Sequence, residues 1–307
     1  MKLKFIFPLI FLFSTLYVKS QQLPMYSQYL TNDFTINPAV AGSKSFFPIQ
    51  ISTRTQWSSL GSIAPQTNTL SYHMPIAYNS MGVGGIIMQD KTGPYKQLSF
   101  QLSYAYHIQL NRKETTTLAL GLSGIINQQT LEMGELDFHN PDPDFEGGSF
   151  TKIVPDANVG AYLYSKSFFI SLSSHQLFES TFKEGISSIF GDNYQVRHYF
   201  ASTGYTFDIY SDLKVEPSIL IKGTETSPVQ MDINTRIIID DAYWAGISLR
   251  SSQSLVAILG FKLGALNLSY SYDYGINSIS TVTSGSHEIS LGFNINDKRN
   301  RRHSYYW

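Results

Sequence analysis

Apolar and polar residues alternate along nearly the whole chain. The clearest run sets Leu98, Phe100, Leu102, Tyr104, Tyr106, Ile108 and Leu110 against Ser99, Gln101, Ser103, Ala105, His107 and Gln109. A period of two is a strand whose two faces meet different surroundings. The pattern returns with Val229, Met231, Ile233, Ile237 and Ile239 against Gln230, Asp232, Asn234, Arg236 and Asp240. It recurs with Leu266, Leu268, Tyr270, Tyr272 and Tyr274 against Asn267, Ser269, Ser271 and Asp273, then with Ile289, Leu291, Phe293 and Ile295 against Glu288, Ser290, Gly292 and Asn294. Fourteen strands are predicted, near 46–57, 67–77, 80–90, 95–110, 114–128, 155–165, 167–177, 194–209, 212–222, 229–240, 242–252, 254–263, 265–274 and 284–296.

An even number of alternating strands suits an all-β, transmembrane antiparallel β-barrel with both termini in the periplasm. The gaps between strands support it. The longest, 129–154, 178–193 and 275–283, follow the fifth, seventh and thirteenth strands. All are odd-numbered connections, which face outward in such a barrel. Even-numbered ones are tight, as at Asn111 to Lys113, Asp241 and Gly264. Long outer loops and short periplasmic turns are the usual arrangement. A charge on the lipid face near the midplane costs about 2–4 kcal/mol for Lys or Arg, so the polar face should line the lumen. A soluble β-sandwich also alternates, but its outer faces should carry more Lys and Glu.

Composition sharpens this reading. Charged residues make up 15% of the 307, aromatics 14%, with 20 Tyr and 20 Phe. That suits a wall in outer-membrane lipid belted by amphipathic rings. A net charge of -1 provides no field for nucleic acid. Residues 1–20 read as a signal peptide: Lys2 and Lys4, an apolar core from Phe5 to Leu16, and Val18-Lys19-Ser20 before Gln21. The apolar run is short of the ~20 residues a spanning helix needs. No cysteine is present, so no disulfide and no lipid-anchored cysteine is expected. The predicted divisions are the signal peptide 1–20, an N-terminal periplasmic arm or plug 21–45, the barrel 46–296 and a basic tail 297–307.

Candidate chemistry is sparse. Asn140-Pro141-Asp142-Pro143-Asp144, with His139 and Glu146, is a dense acidic stretch in the longest loop. Its spacing matches no EF-hand, and Asp-Pro repeats are ordinary turn chemistry. The G-x-S-x-G, H-E-x-x-H and phosphate-loop patterns are missing. His107 and His198 fall on the lumen face, where membership of a polar network is the expected role. Lys214, Glu216, Asp232, Arg236, Arg250, Lys262, Asp273 and Glu288 form a lumen-side ladder of charge, expected to pair internally. No enzyme activity, cofactor or metal site is expected. The tail Lys298, Arg299, Arg301, Arg302 and His303 ends in Tyr305-Tyr306-Trp307 and should lie in the periplasm.

Several motifs resemble one family. The arm carries Pro24-Met25-Tyr26-Ser27-Gln28-Tyr29 and Asn37-Pro38-Ala39-Val40-Ala41-Gly42. Arg54-Thr55-Gln56-Trp57 follows in the first strand, then Gly82 to Gly85 with Asp90-Lys91-Thr92-Gly93. Near the end stand Tyr270-Ser271-Tyr272-Asp273 and Gly285-Ser286-His287-Glu288-Ile289. This ordered set, from residue 24 to about 295, resembles the PorP/SprF outer-membrane proteins of the type IX secretion system of Bacteroidetes. The motif positions of interest are Tyr26, Gln28, Tyr29, Asn37, Pro38, Ala39, Gly42, Arg54, Trp57, Asp90, Gly93, Asp273, His287 and Glu288. Their local readings are structural: the glycines suit bends or close packing, and Asn37-Pro38 a fixed turn.

The resemblance implies a non-enzymatic outer-membrane barrel. Its partners would be the type IX secretion machinery and the C-terminal sorting domain of a secreted adhesin, in some members one used in gliding motility. The alternative is a porin-like solute channel.

Overall fold

The computed structural model describes residues 26–111, 116–132, 148–179, 181–182, 193–225, 227–276 and 283–296. The leader, Pro24, Met25, the acidic stretch 139–146 and the tail from 297 lie outside the described residues.

The strands are β1 Phe47–Thr55, β2 Gln66–Ile76, β3 Met81–Thr92, β4 Tyr95–Gln109, β5 Thr116–Glu132, β6 Ser149–Ser165 and β7 Phe168–His175. They continue with β8 Thr181–Phe182, β9 Asn193–Tyr194, β10 His198–Tyr205, β11 Phe207–Asp208, β12 Leu213–Thr224 and β13 Gln230–Ile239. The last are β14 Tyr243–Arg250, β15 Ser254–Leu263, β16 Leu266–Gly275 and β17 Ser286–Ile295. Fourteen of them close into one antiparallel ring. β1 to β7 pair in sequence, β7 meets β10, β10 meets β12, and β12 to β17 follow in order. The ring shuts where β1 pairs with β17, from Phe47↔Ile295 to Thr55↔His287. β8 and β9 form a separate hairpin, and β11 pairs with β12 just past the end of β10.

The wall is inside-out relative to a soluble protein. Leu102, Ile247 and Leu259 are each more than 60% exposed, whereas Arg54, Asp232 and Glu288 are at most 4% exposed. Alternation sends one set to lipid and the other into the lumen, as expected for the hydrocarbon band of such a barrel. Turn chemistry matches the short connections. Asp240 and Asp241 both take positive φ (54° and 51°), which gives a tight hairpin between β13 and β14. Gly93, with φ 55°, turns β3 into β4 with nothing within 4 Å of a would-be Cβ, so backbone conformation alone calls for glycine.

Two elements differ from the sequence reading: the strand expected over 194–209 is in the ring only as β10 His198–Tyr205, with β9 and β11 as separate short strands, and the hairpin after the fifth strand is longer. β5 runs to Glu132 rather than 128, and β6 starts at Ser149 rather than 155. The extension continues the ladder from Gln128↔Ile153 to Glu132↔Ser149. Thr130 meets Thr151 at 3.0 Å, and Lys96 reaches Glu132 at 2.5 Å. Gln128, Gln129 and Thr130 show no apolar face, as befits a hairpin that continues out of the lipid band. Period-two reading therefore stops before the hairpin does.

Candidate functional site

The site is the lumen, and its principal occupant is the chain's own arm. Residues Tyr26 to Ser45 run inside the ring as two short 3-10 turns, Asp33–Thr35 and Pro38–Val40, joined by irregular backbone. Phe34, Ala39, Val40 and Ala41 are at most 1% exposed. They pack with Ile86, Met88, Ala105, Ala119 and Tyr162 of the wall. This apolar core inside a polar-lined barrel exists because the arm brings it there.

The Asn-Pro-Ala-x-Ala-Gly segment sits on a patch of small residues spanning β3 to β6. A Cβ on Gly121 would lie 2.3 Å from the Ala39 nitrogen, and one on Gly160 1.9 Å from the Asn37 side chain. Asn37 Oδ1 accepts from Ala39 N at 2.8 Å and caps the Pro38 turn. Its Nδ2 donates to Ala161 O and to Ser171 Oγ, at 3.0 and 2.8 Å. Gly42 takes φ 75° and donates through its N–H to His73 Nδ1 at 3.1 Å. His107 Nε2 donates to the Ala41 carbonyl and His175 Nε2 to the Ile36 carbonyl, both at 2.8 Å. The histidines thus satisfy arm backbone that would otherwise be buried without partners.

The other end of the arm meets a string of buried charge. Asp232 on β13 accepts from Arg250 Nε on β14 at 3.1 Å, and Arg250 Nη1 reaches Asp273 on β16 at 3.3 Å. Asp273 also takes Arg54 Nη2 from β1 at 2.6 Å, and Arg54 Nη1 lies 3.3 Å from Glu288 on β17. Charges of alternating sign therefore bridge five strands and straddle the closing seam. Ser27 docks into this string. Its hydroxyl donates to Asp273 at 2.7 Å and accepts from Arg54 at 2.7 Å, while its N–H donates to Glu288 at 2.7 Å. Gln28 Nε2 donates to the Glu288 carbonyl at 2.9 Å, and Ser269 donates to Gln28 Oε1. Tyr26 caps the contact, with its hydroxyl 3.3 Å from Thr69 Oγ1 and 3.1 Å from Met88 Sδ. Tyr29 is buried with Ile36 and Leu220.

Motif residues separated by hundreds of positions thus converge. Tyr26, Gln28, Arg54, Asp273 and Glu288 meet at one junction, and Asn37, Pro38, Ala39 and Gly42 form the other. Asp90 lies in the wall nearby and accepts from Thr67 Oγ1 at 2.5 Å. Trp57 and His287 stand apart. Trp57 follows the end of β1 with φ 51°, and its N–H donates to Ser286 Oγ at 3.2 Å. His287 faces outward and pairs with the Tyr270 hydroxyl at 2.6 Å. Of the ladder expected from sequence, Arg236 pairs with Glu216 at 2.8 Å, and Lys214 pairs with Asp241 at 2.7 Å. Sequence reasoning passed over Gly121, Gly160 and the lumenal Lys222. The signal for the glycines was their place on inward positions of neighbouring strands.

The arm does not stop at the short-turn mouth; it reaches the half of the lumen below the long loops, where Arg54, Asp273 and Glu288 stand near their strand ends. Around it, open space includes a polar bay of about 280 Å³ beside Lys44, Arg236 and Trp244, and a cavity of about 90 Å³ beside Lys222. Among the described residues no group of three or more His, Asp or Glu is placed to hold a metal ion.

These features define an integral outer-membrane β-barrel whose lumen is occupied by its own N-terminal arm. The chain belongs to the PorP/SprF family of type IX secretion system membrane proteins, whose match spans residues 18–293. That family consists of secretion-system membrane barrels rather than enzymes, and membership associates the chain with the type IX machinery. A search of curated proteins matches none to this chain. The chain is also similar to several solved outer-membrane proteins. The outer membrane protein Omp33 of Acinetobacter baumannii is 8% identical, covering 81% of this chain and 98% of its own, with a TM-score of 0.48. A Pseudomonas aeruginosa FadL homologue is 11% identical, covering 91% and 96%, with a TM-score of 0.47. The KdgM porin is 8% identical, covering 80% and 98%, with a TM-score of 0.40.

Proposed function

We propose that the protein is a cargo-dedicated partner of the type IX system, supporting secretion or surface attachment of large proteins such as adhesins, including those used in gliding. A signal peptide over residues 1–20 would deliver it to the periplasm. The barrel would present its long-loop rim to the C-terminal sorting domain of a cargo. Affinity there would come from buried aromatic contacts and strand pairing, without a cofactor.

The observation that carries this reading over a solute channel is the arm. It is held in the lumen by Asn37 at one end and Ser27 at the other, through direct hydrogen bonds to the wall. A pore would need that space free. The test is deletion of the gene, followed by comparison of surface and culture-fluid proteins with the parent strain. Loss of one or a few large adhesins with general secretion intact is the expected result. An unchanged profile would overturn it and return the channel reading to first place.

A further inference from the structure

The polar bay of about 280 Å³ lies in the half of the lumen toward the short turns, between the arm and the wall. Trp244 on β14 forms one side of it. A Cβ on Gly260 of β15 would stand 2.3 Å from Trp244 Cε2, 2.4 Å from Cζ2 and 2.6 Å from Nε1, so the indole lies across that bare backbone. One ring face is taken up by the wall and the other is left to the bay. The indole N–H has no partner among the described residues, so packing alone holds the ring.

The floor beside the ring is polar and unfilled. Gly292 on β17 lines it, and the atom nearest to a Cβ built there is Asn267 Nδ2 at 3.4 Å. Asn267 on β16 and Asn294 on β17 also line the bay, and neither side-chain amide makes a hydrogen bond among the described residues. Each offers two donors and an acceptor. The charges, by contrast, are matched. Lys44 faces Asp33 at 3.5 Å, and Arg236 holds Glu216 at 2.8 Å while its Nη1 donates to the Leu30 carbonyl. An ion therefore finds no uncompensated charge, and a purely apolar molecule would strand the two amides. What is left over is one aromatic face beside free groups of both hydrogen-bonding kinds.

We propose that the bay binds a single pyranose ring of a neutral sugar, its apolar C–H face on Trp244 and its hydroxyls on Asn267 and Asn294. A hydroxyl both donates and accepts, which is what the two amides call for. The size agrees: 280 Å³ falls just below the ~300–1,000 Å³ of pockets that take drug-sized ligands, room for one ring. The Lys44 side chain at its edge is 39% exposed, and the bay is entered there, from the periplasmic mouth. The ligand on that side is a free sugar or the end of a longer glycan.

The test uses the full mature barrel in lauryldimethylamine oxide, because a detergent with a sugar head would compete. Glucose, galactose and N-acetylglucosamine are titrated by saturation-transfer NMR, with sorbitol as an open-chain control that has hydroxyls and no ring face. At least one pyranose should bind saturably and about tenfold or more tighter than sorbitol. Trp244→Leu should weaken it about tenfold and Asn267→Ala about fivefold, as expected for a lost apolar face and a lost hydrogen bond. Heat-modifiable gel migration, in which a folded barrel runs differently from a boiled one, confirms that each variant is assembled. Should Trp244→Leu fail to assemble, Gly292→Val decides the question: its Cβ meets only ordinary contacts and its side chain fills the bay, so binding should be lost from an intact barrel. A trimer of the bound sugar that binds tighter than the monomer identifies a glycan end, and one that binds no tighter identifies a free sugar. No pyranose preferred over sorbitol, or binding unchanged in Trp244→Leu or Gly292→Val, would overturn the proposal.

Discussion

Ala41 and Gly82 touch backbone to backbone: a Cβ on Gly82 would stand 2.0 Å from the Ala41 carbonyl oxygen. Neither partner can yield by rotating a side chain, because the clash is with the main chain. The glycine of β3 is therefore what lets the arm lie flat on the wall; the same backbone contact recurs at Gly121, while Gly160 makes room for the Asn37 side chain.

Gly82→Leu should unseat the arm while leaving the ring closed, since Gly82 pairs with Ala105 and Pro75 through backbone only. In planar bilayers the wild-type barrel should conduct weakly and the variant several-fold more, as expected when a lumen of fourteen strands loses its filling. Conductance that does not change would show that the arm does not limit passage.

Among the described residues, Arg54→Met removes the one cation that contacts both Asp273 and Glu288. Breaking a buried pair on one side costs about 3–5 kcal/mol because the other charge is left stranded. A drop of that size in the urea stability of the heat-modifiable barrel is expected. A loss below about 1 kcal/mol would mean that water reaches the junction and screens it.

His287 and Glu288 are neighbours in sequence on opposite faces of the wall. His287→Ala should cost at most about 1 kcal/mol, the net worth of its bond to Tyr270. Glu288→Ala should cost more, because Ser27 N–H and Arg54 both lose an acceptor in a dry setting. The reverse order would contradict the register of β17.

Asn37→Ala should weaken the barrel by about 1–3 kcal/mol through loss of a cap and buried donors. Asn37→Asp should be worse than alanine. It keeps the acceptor that caps Ala39 but turns the Nδ2 donor into an oxygen facing the carbonyls of Ala161 and Leu172. Comparing the two by the same urea titration separates the cap from the donors.

The ring itself was legible in the sequence. Phe100 against Gln101, or Leu291 against Ser290, needs only period two to be sorted into lipid and lumen. Hairpin chemistry at Asp240-Asp241 and Gly264 then spaces the strands. The junctions were not legible. Arg54 and Asp273 are 219 positions apart, and nothing in either neighbourhood says that ring closure brings them together. Gly121 and Gly160 look like any strand glycine until the register shows them facing the arm. Lys222 was missed because the inward apolar Leu220 interrupts the polar face that Lys214 and Glu216 begin. The segment was expected as a periplasmic arm or plug, but how far it reaches depends on contacts between residues such as Ser27 and Glu288, 261 positions apart.

The arm is continuous with β1, and β1 is one half of the seam that shuts the ring. Ser27 is bonded to residues on β1, β16 and β17 at once. A segment tied to both lips of the seam belongs inside before the lips meet, since entry afterwards would require threading it lengthwise past a packed wall. Seating the arm before β1 zippers to β17 would avoid that threading. A chain that zippers too early would give a ring of normal wall and empty centre, with Asp273, Glu288 and Arg54 left facing water.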